Sequence, residues 1–212
     1  MSIELGELER DALGEAFNMA LGEAAASFSE LVQEEIRITV PHVQVVARAD
    51  LVSQLGDLSI PGLSERLTAI TQAFHTRDQS LNTEAWLVFS ETSGLDIVRR
   101  MLGEAEMPLD QITELEQDAL GEMGNIIING CMNTLATILG SELVGGLPEV
   151  AQSPAAQLFP QQEEDGVVLV VRIGLSLQSQ NITGYVLFLM DLPSLDLMVQ
   201  RVRAYFGLDA GA

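Results

Sequence analysis

Lysine is absent from this 212-residue chain, and all ten of its basic residues are arginine. That excludes Schiff-base chemistry and the lysine of a nucleotide-binding P-loop. The single cysteine, Cys131, excludes an internal disulfide and any cysteine-rich metal cluster. It falls on the apolar side of a helical pattern with no histidine in its local sequence, so it is expected as a small buried hydrophobe. His42 and His75 stand apart from each other and from any carboxylate cluster in the sequence. A metal site needs several ligands brought together, so both histidines read as structural or solvent-exposed, and no metal is expected. The lone tryptophan, Trp86, sits in an apolar run and reads as core. No apolar run approaches the roughly eighteen residues that a membrane span needs. The acidic opening Met1-Ser2-Ile3-Glu4 has no basic or apolar signal region, so the cytoplasm is the expected location.

Acid is abundant. A formal net charge of −21 makes nucleic acid and anionic membranes poor partners and leaves other proteins as the natural ones. Hydrophobic residues make up 47% of the chain, which is enough to bury a core and argues against disorder.

One pattern occurs twice. Asp11 to Asn18 reads D-A-L-G-E-A-F-N, and Asp118 to Asn125 reads D-A-L-G-E-M-G-N, 107 positions later. Pro41 and Pro148 each follow the last Asn by 23 residues, so D-x3-E-x2-N-x22-P recurs with identical spacing. On a helix, positions i, i+4 and i+7 share one narrow strip. Asp11, Glu15 and Asn18 therefore point one way, as do Asp118, Glu122 and Asn125. Leu13, Phe17, Ala20, Leu21, Ala24, Phe28 and Leu31 are expected on the buried side of the first helix. Leu120, Ile127, Ile128, Cys131, Leu135 and Ile138 are expected on that of the second. A solvated face asks only for polarity, and Asn is a poor interior helix former. The same acid, acid and amide at the same places twice point to function.

These residues resemble the signature of the CheC-type phosphatases of bacterial chemotaxis, relatives of CheX and FliY, and the resemblance covers essentially the whole chain. It implies a duplicated α/β arrangement, of α+β type. Two long motif helices pack on antiparallel sheet and are displayed on the same side. The chain is then a single domain of two repeats, about 1–107 and 108–212. The resemblance further implies hydrolysis of an aspartyl phosphate on a CheY-like response regulator. Asn18 and Asn125 would insert toward the phosphoryl group, and Glu15 and Glu122 would pair with the regulator's lysine. Asp11 and Asp118 would support the site. Any Mg²⁺ would belong to the phosphorylated partner, with no cofactor of the chain's own. Relatives also bind the deamidase CheD, which makes CheD a further expected partner. Flagellar-switch relatives that bind a receiver domain without hydrolysing anything supply the competing expectation. They carry an extra C-terminal switch domain, whereas this sequence stops at Ala212.

The remaining pattern fits two units of helix, strand, strand, strand, helix. The first helix should run from Glu4 to about Gln33. Residues 35–40 should form a strand ending at Pro41, with 42–48 extended. A short helix is expected over 49–55 and a loop over 56–62. Strands are expected over 66–76 and 84–91, a helix over 93–103 and a linker over 104–110. A helix over 111–139 then restarts the pattern, followed by a loop over 151–165, strands over 167–178 and 181–190, and a helix over 193–206. Pro41 should mark a strand end or a sheet edge, since proline cannot donate to a ladder.

Carboxylates one helical turn apart cannot flank a glycosidic bond from opposite faces, and no Ser-His-Asp or Cys-His motif is present. A hard cation would find only three oxygens on one side of a single helix. Loss of phosphate from an acyl phosphate suits the residues better, because it needs chiefly a water held in line. A carboxamide offers that water a donor and an acceptor, and being neutral it is not repelled by phosphoryl oxygens. One difference separates the copies. Four residues past the motif Asn the first has Gly22 and the second Asn129, so access at the second strip is expected to differ.

Overall fold

The structure, a computed structural model, describes residues 5–32, 34–51, 53, 66–103, 113–159, 166–177 and 180–208. Two 26-residue helices dominate it, α1 (Glu7–Val32) and α3 (Glu114–Leu139). The shorter helices are α2 (Glu91–Met101), α4 (Ala155–Leu158) and α5 (Leu192–Tyr205). The strands are β1 (Ile36–Ala47), β2 (Leu67–Thr76), β3 (Asn82–Ser90), β4 (Leu143–Gly145), β5 (Glu149–Ser153), β6 (Val167–Leu177) and β7 (Gln180–Met190).

All seven strands join one antiparallel sheet, in the order β1-β6-β7-β3-β2-β4, with β5 also paired to β2. The hairpins β2–β3 and β6–β7 meet at the centre. The strand that follows α1 joins the later hairpin, and those that follow α3 join the earlier one. Side chains alternate along each strand, so both faces are covered. Leu169, Val171, Phe188, Leu87 and Phe89 face the long helices with Leu13, Phe17, Leu120 and Ile127. Val168, Val170, Leu187, Trp86 and Tyr185 face the opposite side, against Leu158 and Phe159 of the α4 region.

The long helices touch closely because small residues sit between them. A Cβ added at Gly130 would lie 2.9 Å from the Ala24 Cβ, and one at Gly124 would overlap Ile70 of β2. Thr113 caps α3 with a reciprocal box: its hydroxyl accepts the Glu116 N–H, and its own N–H donates to Glu116. Gly140, at φ 63°, ends that helix in the left-handed conformation that glycine adopts freely.

The long helices, both hairpins and the antiparallel sheet agree with the sequence reading. Three details differ. The stretch read as a loop over 151–165 holds most of β5 and all of α4 within its described part, and β4 precedes them. Strand β1 runs through Pro41 and does not end there. Leu31 is 46% exposed, because α1 is nearing its end and leaves the core at that point. The short helix expected over 49–55 opens with a 3₁₀ turn over residues 48–50 and is helical at its described residues 51 and 53. The loop over 56–62 and the linker over 104–110 lie outside the described residues.

Candidate functional site

Helix α1 buries Leu13, Ala16, Phe17, Ala20 and Leu21 completely, which fixes its rotation and turns Asp11, Glu15 and Asn18 outward. Helix α3 does the same through Leu120, Met123, Ile127 and Cys131, leaving Asp118 and Glu122 exposed and Asn125 half-buried. Burial pushes the Cys131 thiol up to about 12, as its place in the core requires. Among the described residues, no hydrogen bond or ion pair engages the carboxylates of Asp11, Glu15, Asp118 or Glu122.

The distance from motif Asn to proline has a structural reason in the first copy. Between Thr39 and His42 the register of β1 on β6 shifts, so that Val40 and Pro41 together oppose Ile173 alone. Such a bulge takes the residues out of the ladder. It sits on an edge strand, where a proline is tolerated. The Val40 N–H is thereby released, and it donates to Asn18 Oδ1 at 3.2 Å. The 23-residue interval brings the bulged strand back beneath the helix and anchors the amide.

Asn125 is held differently. Its Oδ1 accepts from Asn129 Nδ2 at 2.6 Å, and Asn129 lies against Gln72 of β2, which is only 4% exposed. The sequence flagged Asn129 as a departure from the first copy; Gln72 carried no local signal.

An open cleft of about 270 Å³ accompanies the first strip, lined by Arg10, Asp11, Glu15, Asn18, Val40 and His42 among others. His42 is solvent-exposed, one of the two states expected for it, with Nε2 3.3 Å from Gln44 Oε1, and folding β1 under α1 places it on the wall of the cleft that Asp11 and Glu15 also line. Arg10 lines the same wall. The positions 107 residues on from Arg10 and His42 hold Gln117 and Glu149, so the two strips differ in local charge.

The repeat also extends N-terminal to Asp11 and Asp118. Glu7 to Glu15 reads E-L-E-R-D-A-L-G-E and Glu114 to Glu122 reads E-L-E-Q-D-A-L-G-E. The second Glu of each fastens its helix. Glu9 accepts from Arg203 of α5 at 2.9 Å and from the Gly6 N–H. Glu116 accepts from Arg99 of α2 at 2.6 Å and from the Thr113 N–H. Leu8 and Leu115, the residues just before them, are both exposed, at 66% and 55%.

No family model matches the chain. Among curated proteins it is 21% identical over 170 residues to the CheY-P phosphatase CheC of Bacillus subtilis (strain 168), a match covering 79% of this chain and 76% of CheC. It is 25% identical over 164 residues to the flagellar motor switch phosphatase FliY of the same bacterium, covering 77% of this chain but 39% of FliY. The crystal structure of Thermotoga maritima FliY superposes with a TM-score of 0.76 at 22% identity, over 97% of this chain and 98% of that one. The FliM middle domain from H. pylori has a TM-score of 0.64 at 9% identity, over 93% and 99%. The double motif, the shared fold and the sequence likeness agree: the chain is a homologue of CheC and FliY, and the CheC/CheX/FliY family is the one it fits.

Proposed function

We propose that this chain hydrolyses the aspartyl phosphate of a CheY-like response regulator. The observation that carries this is the state of the two motif amides. Each Oδ1 accepts one N–H, from Val40 at Asn18 and from Asn129 at Asn125. Each amide is thus fixed in orientation. It keeps its Nδ2 hydrogens and a second lone pair on Oδ1 for a water molecule.

Hydrolysis of an acyl phosphate passes through a loose transition state that asks for alignment more than for covalent help. A water held between Nδ2–H and Oδ1 can be set in line with the leaving carboxylate oxygen. The amide is not basic enough to take the water's proton, so it orients and does not deprotonate. It carries no charge to oppose the phosphoryl oxygens. Glu15 and Glu122, exposed and unbonded one turn earlier, are free to meet the lysine beside the regulator's phosphorylated Asp. Asp11 and Asp118 extend the acidic strip, and Leu8 and Leu115 give each strip an apolar contact at its start. The Mg²⁺ of the reaction stays with the regulator.

The test is timed loss of phosphate from a panel of phosphorylated receiver domains. Asn18→Ala or Asn125→Ala alone should roughly halve the rate if the strips act independently, and the pair should leave only the regulator's own decay. Wild-type dephosphorylation by the double variant would overturn the mechanism. A second reading is a non-catalytic module that binds a receiver or CheD, with which the fold shared with the FliM middle domain is compatible. Saturable binding to the panel without faster phosphate loss would favour it.

A further inference from the structure

We propose that Asn129 is a positioning residue for Asn125, doing at the second strip what the Val40 backbone N–H does at the first. The proposal rests on the phosphatase reading and deepens it. In both strips the motif amide oxygen receives one N–H donor, but the donors differ in kind. At the first strip the bulged backbone supplies it. At the second, the residue before the proline is Leu147, 88% exposed, and among the described residues no bond runs from it to Asn125. The donor there is a side chain one helical turn away.

That side chain is itself held. Asn129 Nδ2 lies 2.6 Å from Asn125 Oδ1, 2.9 Å from the Asn125 carbonyl oxygen and 3.3 Å from Gln72 Oε1. Gln72 Nε2 in turn donates to Asn129 Oδ1 at 3.4 Å and to the Gly146 carbonyl at 2.8 Å. Turning the Asn129 amide over would set its oxygen against two other oxygens at those short distances, so only one orientation is chemically consistent. Gln72 is nearly sealed from solvent and ties the pair to the segment just before Pro148. The chain of contacts therefore runs from β2, through Asn129, to the motif amide.

At the matching place in α1 stands Gly22, and a Cβ there would meet nothing within 4 Å. The first strip has room for such a side chain and does without it. A donor from the backbone is lost only to proline, whereas one from a side chain is lost to any residue without such a group. The second strip should depend on residue 129, and the first should be indifferent to it.

The experiment reads steady-state dephosphorylation of a phosphorylated CheY-like receiver in two backgrounds. With only the second strip working (Asn18→Ala), Asn129→Ala should lower kcat about tenfold, the scale of one well-placed hydrogen bond, with KM unchanged. Asn129→Asp should lower it further, because it faces Asn125 Oδ1 with an oxygen. With only the first strip working (Asn125→Ala), neither change should alter kcat, and that background reports whether the variants fold. Unchanged or faster turnover by Asn129→Ala in the first background would overturn the positioning role. So would an equal fall in both backgrounds, which would mark a merely structural effect. If the Asn18→Ala, Asn125→Ala chain still works at the wild-type rate, the phosphatase reading itself fails and this inference goes with it.

Discussion

Glu116 uses both carboxylate oxygens. Oε1 accepts from Arg99 at 2.6 Å, and Oε2 accepts from the Thr113 N–H at 2.7 Å and its hydroxyl at 3.0 Å. Both members of the ion pair are almost wholly buried, at 4% and 2% exposure. Burial works to raise the Glu116 pKa, but the Thr113 backbone bond, Arg99 and the Thr113 hydroxyl together outweigh it and hold the carboxyl below its ordinary 4.5. A lowered pKa in the folded state means the folded chain binds its proton less readily than the unfolded chain does. The contribution to stability is therefore complete above 4.5 and is lost as pH falls through the lowered value. Removing one partner of a buried pair costs about 3–5 kcal/mol. Glu116→Ala should lose that much in urea unfolding at neutral pH, and its stability should fall less steeply below pH 4.5 than that of the wild type. The counterpart Glu9, paired with Arg203 at 25% and 35% exposure, is better solvated. Glu9→Ala should cost only about 1 kcal/mol. Equal losses at the two positions would show that burial does not separate these pairs.

Two glycines on the long helices should respond to alanine with opposite signs. At Gly130 the new methyl meets the Ala24 Cβ at 2.9 Å and its Cα at 3.1 Å, and a backbone atom cannot swing aside. Overpacking costs about 1–3 kcal/mol, against a helix-propensity gain of about 1 kcal/mol, so Gly130→Ala should destabilise by up to about 2 kcal/mol. At Gly22 the space is open, and Gly22→Ala should raise stability by about 0.5–1 kcal/mol. Thermal midpoints of the two variants on either side of the wild type would bear this out. What made the long helices legible was length: 26 residues of consistent apolar spacing leave no competing period. The outer strands offered no such signal. Glu149-Val-Ala-Gln-Ser153 is mostly half-exposed on one edge of the sheet, and its pairing with β2 depends on a hairpin some eighty residues earlier. Glu15, Asn18, Glu122 and Asn125 stand out as candidates in the sequence because they repeat. Their anchors do not: Val40 contributes a backbone N–H, which any residue but proline carries, and Gln72 meets Asn129 across 57 positions. His42 was hidden likewise, since only the return of β1 beneath α1 brings it to the cleft.

For the molecule as a whole, the proposed encounter is between two acidic surfaces. The chain carries a net charge of −21, and in the proposed complex each strip would bring exposed carboxylates to a receiver whose own phosphorylation site is acidic. Long-range attraction is therefore not what brings them together. Short-range contacts, Glu with lysine and Leu8 or Leu115 with an apolar patch, must offset the repulsion after contact. Screening shortens the repulsion from about 10 Å of reach at 0.1 M salt to about 3 Å at 1 M, while pairs already desolvated at the interface are screened less. Turnover at subsaturating receiver should consequently hold or rise as salt is added. A steep fall would mean that attraction, not repulsion, governs the approach. The strips should also differ. Arg10 and His42 line the first cleft, whereas Gln117 and Glu149 hold the matching positions of the second copy, so repulsion is stronger at the second. The chain left with only its second strip, Asn18→Ala, should gain more from added salt than the one left with only its first, Asn125→Ala. If both respond alike, the net charge alone governs the approach, and the side chains around each amide do not.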